Sequence, residues 1–383
     1  MPAQKACLFC RFMKARFHFK NIDALRFFAF AKVYLLHVPI VSSVWWFQQI
    51  KTGGGIGVMF FFVLSGFLIT WLLLKEKTTN NQINAKRFMM RRILRIWPVY
   101  FLVLAFVYFI PNDLLGSWGL RIVGGYEPDW IYSFSFLENY KMLMSDQFPI
   151  TTPLSVFWSL CIEEHFYIFW LLLMSVLPLR FIPYFLLLCF PVSILMRWFE
   201  PMIWHNTIMY TNDLFTNLDL FAAGGLAAYV FTFKQEVYEG YMSKIPKYMQ
   251  FVFILLVLAL VFFHRYILPE IAFSSINLFR SCVFGLSFAL LILMMVSKHS
   301  IFHFSEKHLF SRLGELSYGL YVYHLIFIHA MMRYCENHHI NLNETLNITV
   351  FVLLNLILSI GLSYLSKKYV EDWFLGLKRY FNP

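Results

Sequence analysis

Four clusters of polar residues in this 383-residue chain could do chemistry, and each lies in or beside an apolar run. The first is Asp23-Ala-Leu-Arg26, followed by His37. At 100° per residue, the eleven-residue interval leaves Arg26 and His37 about 20° from one helix face and about 16 Å apart. One guanidinium and one imidazole would then line a single stripe. Ionisable groups inside a membrane are costly and mark ion, proton or substrate paths. The plainer alternative has Arg26 snorkelling to headgroups and His37 packed and hydrogen-bonded in a core. On these two residues alone it is the simpler reading.

The second cluster is an aromatic run interrupted by Gly57 and by Ser65-Gly66, followed later by Arg91-Arg92-Ile-Leu-Arg95-Ile-Trp-Pro98. Small residues permit close helix approach, so Gly57 and Gly66 read first as packing. Arg91 and Arg95 share a helix face at i, i+4. Guanidiniums at that spacing can clamp phosphates, or simply anchor the cytoplasmic end of a span. The third cluster, Trp158-Ser159-Leu-Cys-Ile-Glu163-Glu164-His165-Phe166-Tyr167, puts Ser159, Glu163 and Tyr167 on one face and turns Glu164 elsewhere. A carboxylate there needs a cation or hydrogen-bond donors to stay charged. The fourth, Gly314-Glu-Leu-Ser317-Tyr318-Gly-Leu-Tyr321-Val-Tyr-His324, sets Ser317, Tyr321 and His324 on a shared face. His37, Glu163 and His324 each fall roughly seven to ten residues, or about 10–15 Å, from their expected outer helix ends. One cavity at one depth is the expectation.

The elements that would hold these groups are membrane helices. Hydrophobic residues make up 60% of the chain against 14% charged, with mean hydropathy +0.62, a balance that excludes a water-soluble globular protein. No alternating strand period supports a barrel. Apolar runs of about 18–22 residues, enough to cross roughly 30 Å of hydrocarbon, fall near 24–45, 56–74, 93–110, 156–177, 181–198, 215–233, 249–268, 275–297, 314–334 and 346–366. The reading is an all-α, polytopic transmembrane bundle of about ten helices. With the N-terminus inside, the only Lys and Arg left outside are Lys51, Arg121, Lys141, Arg197, Arg265, Arg280 and Arg333, with Lys32 in the first span. Both termini are then expected in the cytoplasm. The net charge of +11 reads as topology, not nucleic-acid binding.

The segment from about 111 to 155, with Pro111, Gly124, Gly125 and Pro128, is expected to form an ordered external cap or re-entrant loop. Cys7, Cys10, Cys161, Cys189, Cys282 and Cys335 are too scattered for a disulfide framework. Cys7 and Cys10 alone make a weak zinc signal, and no metal is implied. The first span, with Lys32 and His37 inside it, does not read as a cleavable signal. Met13 opens a basic run that leads into that span, so residues 1–12 are a candidate misassigned start.

Together these residues carry a resemblance. Asp23-x-x-Arg26 with His37, Phe61-Phe62-Val-Leu-Ser65-Gly66-Phe67, Arg91-Arg92-x-x-Arg95-x-x-Pro98, Trp158-Ser159-Leu-x-x-Glu163-Glu164-x-Phe166-Tyr167 and Gly314-x-x-Ser317-Tyr318-x-x-Tyr321-x-x-His324 stand in an order that resembles the acyltransferase-3 family of bacterial membrane acyltransferases. The likeness runs over about residues 22–375, with 1–21 a basic cytoplasmic segment and 376–383 a short basic tail. It implies ten helices in the bacterial inner membrane and a cytoplasmic acyl-CoA donor, with acetyl-CoA expected. The implied reaction is O-acylation of lipopolysaccharide, exopolysaccharide, peptidoglycan, or a related glycan, lipid or antibiotic, with envelope-polysaccharide assembly enzymes as candidate partners. It also reverses the packing reading of Arg26 and His37, which match the family's first-span Arg and His. Two positions depart from the pattern: Asn217 stands where an Arg often precedes the Asp at Asp219, and Glu371-Asp-Trp373 stands in place of Glu-x-Pro. No esterase-like domain follows, so the chain is expected to be the membrane domain alone.

In the expected mechanism His37 is general base or transient acyl carrier, and Glu163 orients and charges its imidazole. Arg26, Arg91, Arg92 and Arg95 hold the donor's phosphates, while a pantetheine arm covers the distance from Arg26 to His37. Asp23, Ser65, Trp158, Ser159, Tyr167, Asp219, Ser317, Tyr321 and His324 support the cavity. The competing class is a transporter or flippase that uses buried His and Glu as a proton relay; it leaves the arginines beside Pro98 unexplained. A non-catalytic assembly partner would leave CoA unbound.

Overall fold

The computed structural model describes residues 19–38, 45–120, 126–204, 212–268 and 275–381. Cys7, Cys10 and Met13, like Arg121, Gly124 and Gly125, lie outside these residues. A helix falls on each of the ten apolar segments: α1 (Lys20–His37), α2 (Gly55–Asn80), α3 (Ala85–Phe109), α4 (Phe157–Val176), α5 (Ile182–Trp204), α6 (Leu218–Phe233), α7 (Lys247–Phe262), α8 (Ser275–Val296), α9 (Ser317–Asn337) and α10 (Thr345–Ser366). No strand occurs among the described residues.

Among the described residues, six stretches are long and apolar enough to cross a membrane, those built on α2, α3, α4, α5, α8 and α10. A seventh arises if Gln235–Met242 and α7, bent by 99°, count as one span. The helices that fall short have a physical reason. α1 carries Asp23, Arg26 and Lys32, α6 has only 16 residues, and α9 carries His324, His329 and Arg333. Asp23, Lys32, Asp219 and His324 are all buried inside the protein. Of these helices, α1 and α9 bear the polar groups of the first and fourth clusters, and the short α6 bears Asp219.

α1 is shorter than expected. It stops at His37, and Val38 is already extended at ψ 110°, because the ring of a following proline (here Pro39) disfavours helical geometry in the residue before it. His37 therefore ends a helix instead of sitting within one. α3 starts at an Asn84 cap that accepts from the Arg87 amide at 2.9 Å, and it runs through Pro98 without stopping.

α2 is central, and its crossing with α6 is almost backbone on backbone. A Cβ on Gly66 would lie 2.1 Å from the Phe221 carbonyl oxygen, and one on Gly224 would lie 1.9 Å from that of Val63. Only hydrogens fit at such a contact. Phe221 stacks on Phe166 of α4 at 4.0 Å and on Phe62 of α2 at 4.8 Å, which ties three helices together beside Ser65. Gly314, in the short helix Leu309–Glu315, plays the same part against α1, since a Cβ there would meet the Asp23 carbonyl oxygen at 1.7 Å.

The cap segment is ordered where described, with helices at Asn112–Ser117, Trp130–Phe134 and Glu138–Ser145. Glu138 is fully buried and accepts hydrogen bonds from the Tyr126 and Ser133 hydroxyls. Burial pushes its pKa above the ordinary carboxylate value, and the two hydroxyls pull it partly back. After α10 the chain makes a π turn at Lys367–Glu371, a short helix at Asp372–Gly376 and a 3-10 turn at Leu377–Phe381, and the last of these packs on α3.

Candidate active site

A cavity of about 110 Å³ lies among α1, α2, α3, α4 and α9. Its polar wall is built from Arg26, Ser65, Arg92, Arg95, Ser159, Glu163, Tyr167, Ser317, Tyr318 and Tyr321. Glu163 is held from two sides: the Ser65 hydroxyl donates to Oε1 at 3.0 Å and the Tyr167 hydroxyl to Oε2 at 3.1 Å. The i, i+4 spacing of Glu163 and Tyr167 and the packing of Gly66 on α6 together make this possible. Tyr321 meets Ser159 at 2.5 Å between hydroxyl oxygens, and both hydroxyls lie within reach of the Val156 carbonyl, Ser159 at 3.0 Å and Tyr321 at 3.5 Å. Glu164 turns away, as its position predicts. It takes a hydrogen bond from the Trp97 indole at 3.3 Å.

The cations divide. Arg26 donates to Asp23 at 2.7 Å, one turn earlier on the same helix. Arg91 leaves the cavity and reaches Glu76 at 3.7 Å. Arg92 and Arg95, at i, i+3, line the cavity and make no hydrogen bond or ion pair with a described residue. The Arg92 guanidinium lies 5.7 Å from the Phe88 ring centre and 6.0 Å from that of Tyr167, and its Nε is buried without a partner. Of the three arginines expected at the donor site, Arg92 and Arg95 line the cavity and Arg91 does not. Unpaired guanidiniums in a cavity wall form an anion site.

His37 and His324 make a second group. His324, fully buried, places Nδ1 2.8 Å from the Tyr321 carbonyl and Nε2 3.1 Å from His37 Nδ1. His37 Nδ1 is also 3.0 Å from the Val33 carbonyl. Carbonyls only accept, so both Nδ1 atoms carry hydrogen. The single His37 Nδ1–H is then shared between the Val33 carbonyl and His324 Nε2, and in the neutral ring His37 Nε2 carries no proton. The expected contact between Glu163 and His37 is absent. The carboxylate is engaged by Ser65 and Tyr167, and the imidazole's neighbour is His324. Tyr321 joins the two groups, with its ring on the cavity and its carbonyl on His324.

Residues 19–364 match the family described as Acyltransferase domain. The chain belongs to this acyltransferase family. It is 34% identical over 166 residues to peptidoglycan O-acetyltransferase OatA of Listeria monocytogenes, covering 41% of this chain and 24% of that protein. A Staphylococcus aureus protein named, by inference, as an O-acetyltransferase is 36% identical over 166 residues, covering 42% and 25%. A Bacillus subtilis protein, YrhL, named by inference as a peptidoglycan O-acetyltransferase, is 35% identical over 159 residues, covering 39% and 23%. The matched region thus spans about a quarter of these relatives' length. No solved structure matches the chain.

Other acyltransferase motif residues lie apart from the cavity. Trp158 is half-buried, with its ring edge toward Phe62 at 6.5 Å. Asp219 sits at the junction of α5, α6 and α8, where Arg197 grips it through two bonds at 2.8 and 3.1 Å, with Ser193 at 3.1 Å and Cys282 at 3.2 Å. Arg197 is expected on an outer surface from the sequence, but it is buried. This also accounts for Asn217: the guanidinium partner of Asp219 comes from α5 instead of two residues upstream. One cavity residue and one lysine near the arginines escape the sequence reading. Tyr318 lines the wall and donates to the Ile96 carbonyl at 2.7 Å. Lys378 is carried on the folded-back C-terminal turn to where it feels the charges of Arg95, Arg92 and Arg91, and it has no hydrogen bond or ion pair with a described residue. Tyr318 was visible in the motif, but nothing local in the sequence signals Lys378.

Proposed function

We propose that this acyltransferase is a multi-pass bacterial inner-membrane enzyme of ten crossings with cytoplasmic termini, and that it moves an acyl group from acyl-CoA to a hydroxyl of an envelope glycan. Acetyl is the acyl group to test first, and peptidoglycan the acceptor, because the relatives are named for them. One observation carries the donor assignment: Arg92 and Arg95, without partners, face the same cavity as Glu163. Arg26, bonded to Asp23, lies at the same end of the cavity, and Lys378 lies close enough to feel the arginines' charges, a setting that suits a donor carrying several phosphates. A proton-relay transporter has no use for two unpaired guanidiniums there, and family membership does not favour it.

In this reading the phosphates rest on the arginines and the pantetheine arm runs toward His37. The present cavity, about 110 Å³, is smaller than ligand sites of roughly 300–1,000 Å³, so side chains such as Phe61 and Tyr321 must swing for the arm to enter. The acceptor oxygen attacks the thioester carbonyl while His37 Nε2 takes its proton. The carbon–sulfur bond then breaks, and the proton passes to the leaving thiolate. His37 as transient acyl carrier uses the same nitrogen. As the imidazole becomes imidazolium, its Nδ1–H bond to His324 Nε2 becomes charge-assisted and strengthens. Glu163 acts from the cavity by fixing Ser65 and Tyr167. Mass spectrometry of envelope glycans from a deletion strain and its parent tests the assignment: one missing ester is expected, and an unchanged ester profile would refute it.

A further inference from the structure

A second cavity, of about 580 Å³, opens between α1, α2, α7, α8 and the 302–310 segment. Apart from Lys32 and His308, every lining side chain is apolar. It follows α1 from Leu25 to Leu35, about 15 Å at 1.5 Å per residue, or about half of a hydrocarbon core roughly 30 Å thick. That is the reach of one acyl chain in one leaflet.

Lys32 makes this groove more than a lipid-facing dent. Its side chain is 6% exposed. The ammonium donates to the Ile50 carbonyl at 2.7 Å and lies 4.6 Å from the Phe262 ring centre. Three N–H donors are present, one is used, and no carboxylate among the described residues pairs with the charge. A buried ammonium without a counter-charge is costly. His308, at the other end, caps Leu309–Glu315 through Nδ1 and the Phe310 amide, so Lys32 supplies the groove's cation. An apolar slot one leaflet deep whose ammonium has no carboxylate partner among the described residues and has donors to spare is complementary to an anionic head on an apolar tail.

From these features we propose that the groove holds one anionic glycerophospholipid, with an acyl chain along α1 and the phosphate on Lys32. Lys32 and His37 are five residues apart, about 140° around the helix, so this site lies on another side of α1 from the histidine pair and stands independently of the acyl-transfer reading.

Native mass spectrometry of the full chain, purified in detergent with equimolar phosphatidylglycerol and phosphatidylcholine, tests it. Wild type should retain one phosphatidylglycerol with a preference of roughly tenfold. Lys32→Gln, which can still donate to Ile50, should bring the ratio near one, and Lys32→Arg should restore it. Ala31→Trp, which fills the groove, should expel both lipids. Retention of neither lipid by wild type, equal retention of both, or an unchanged preference in Lys32→Gln would overturn the proposal.

Discussion

His324 Nε2 lies 3.1 Å from His37 Nδ1, and the carbonyls of Val33 and Tyr321 fix both tautomers, so His37 Nε2 is the one unprotonated ring nitrogen not already serving as an acceptor within the pair. His324→Ala should therefore lower turnover by about ten- to a hundredfold, within the scale of general acid–base assistance, with donor affinity unchanged. His324→Gln can accept from His37 Nδ1–H through its carbonyl and should recover part of the rate. Turnover at saturating donor, with calorimetry of donor binding, checks this. Equal losses in both variants would mean that His324 merely packs.

Glu163 holds two hydroxyls in the cavity wall. Glu163→Gln, which keeps the shape and removes the charge, is expected to lower turnover on the order of a hundredfold. Ser65→Ala, which removes one hydrogen bond, should cost less, about 1 kcal/mol. Glu164→Gln should be mild, because that side chain turns toward Trp97. Acyl-transfer rates of the three variants at saturating donor decide it, and Glu164→Gln proving the most damaging would contradict the assignment.

Donor binding should separate the arginines. Arg92→Gln and Arg95→Gln should each weaken CoA affinity by about 1.5–3 kcal/mol, the scale of one charge-assisted contact. Arg91→Gln should change it little, since that side chain points to Glu76. Lys378→Gln should also weaken binding. Calorimetric titration with CoA in detergent gives the order, and an Arg91 effect equal to that of Arg92 would overturn it.

The pair of Arg197 and Asp219 should behave as structure alone. Their side chains are 2% and 0% exposed, so Asp219→Ala strands a buried guanidinium and should cost about 3–5 kcal/mol. The melting temperature of the purified variant should fall. CoA affinity of the protein that remains folded should match wild type, and a specific loss of CoA affinity would bring Asp219 into the site.

Much of this is legible in the sequence. Hydrophobic runs located the helices, and i, i+4 spacing placed Ser159, Glu163 and Tyr167 on the cavity and sent Glu164 away. What escaped depends on contacts distant in sequence or on one residue's backbone. Val38 before Pro39 ends α1 at His37, which shifts the imidazole relative to Glu163 and hands it to His324. Arg197 looked external because a charge near a span end usually is, but its partner Asp219 lies on another helix. Lys378 reaches α3 only because the chain folds back after α10, and Lys32 gains meaning only when α7 and α8 wall a groove around it.

The most direct test uses purified protein in liposomes with acetyl-CoA and a peptidoglycan-derived glycan acceptor. Free thiol release and new glycan ester are measured together, for wild type and for a His37→Ala variant whose insertion and melting match wild type. Thiol release coupled to ester formation in wild type, and neither in His37→Ala, is the predicted result. Ester formation at the wild-type rate in His37→Ala would contradict the account at its centre.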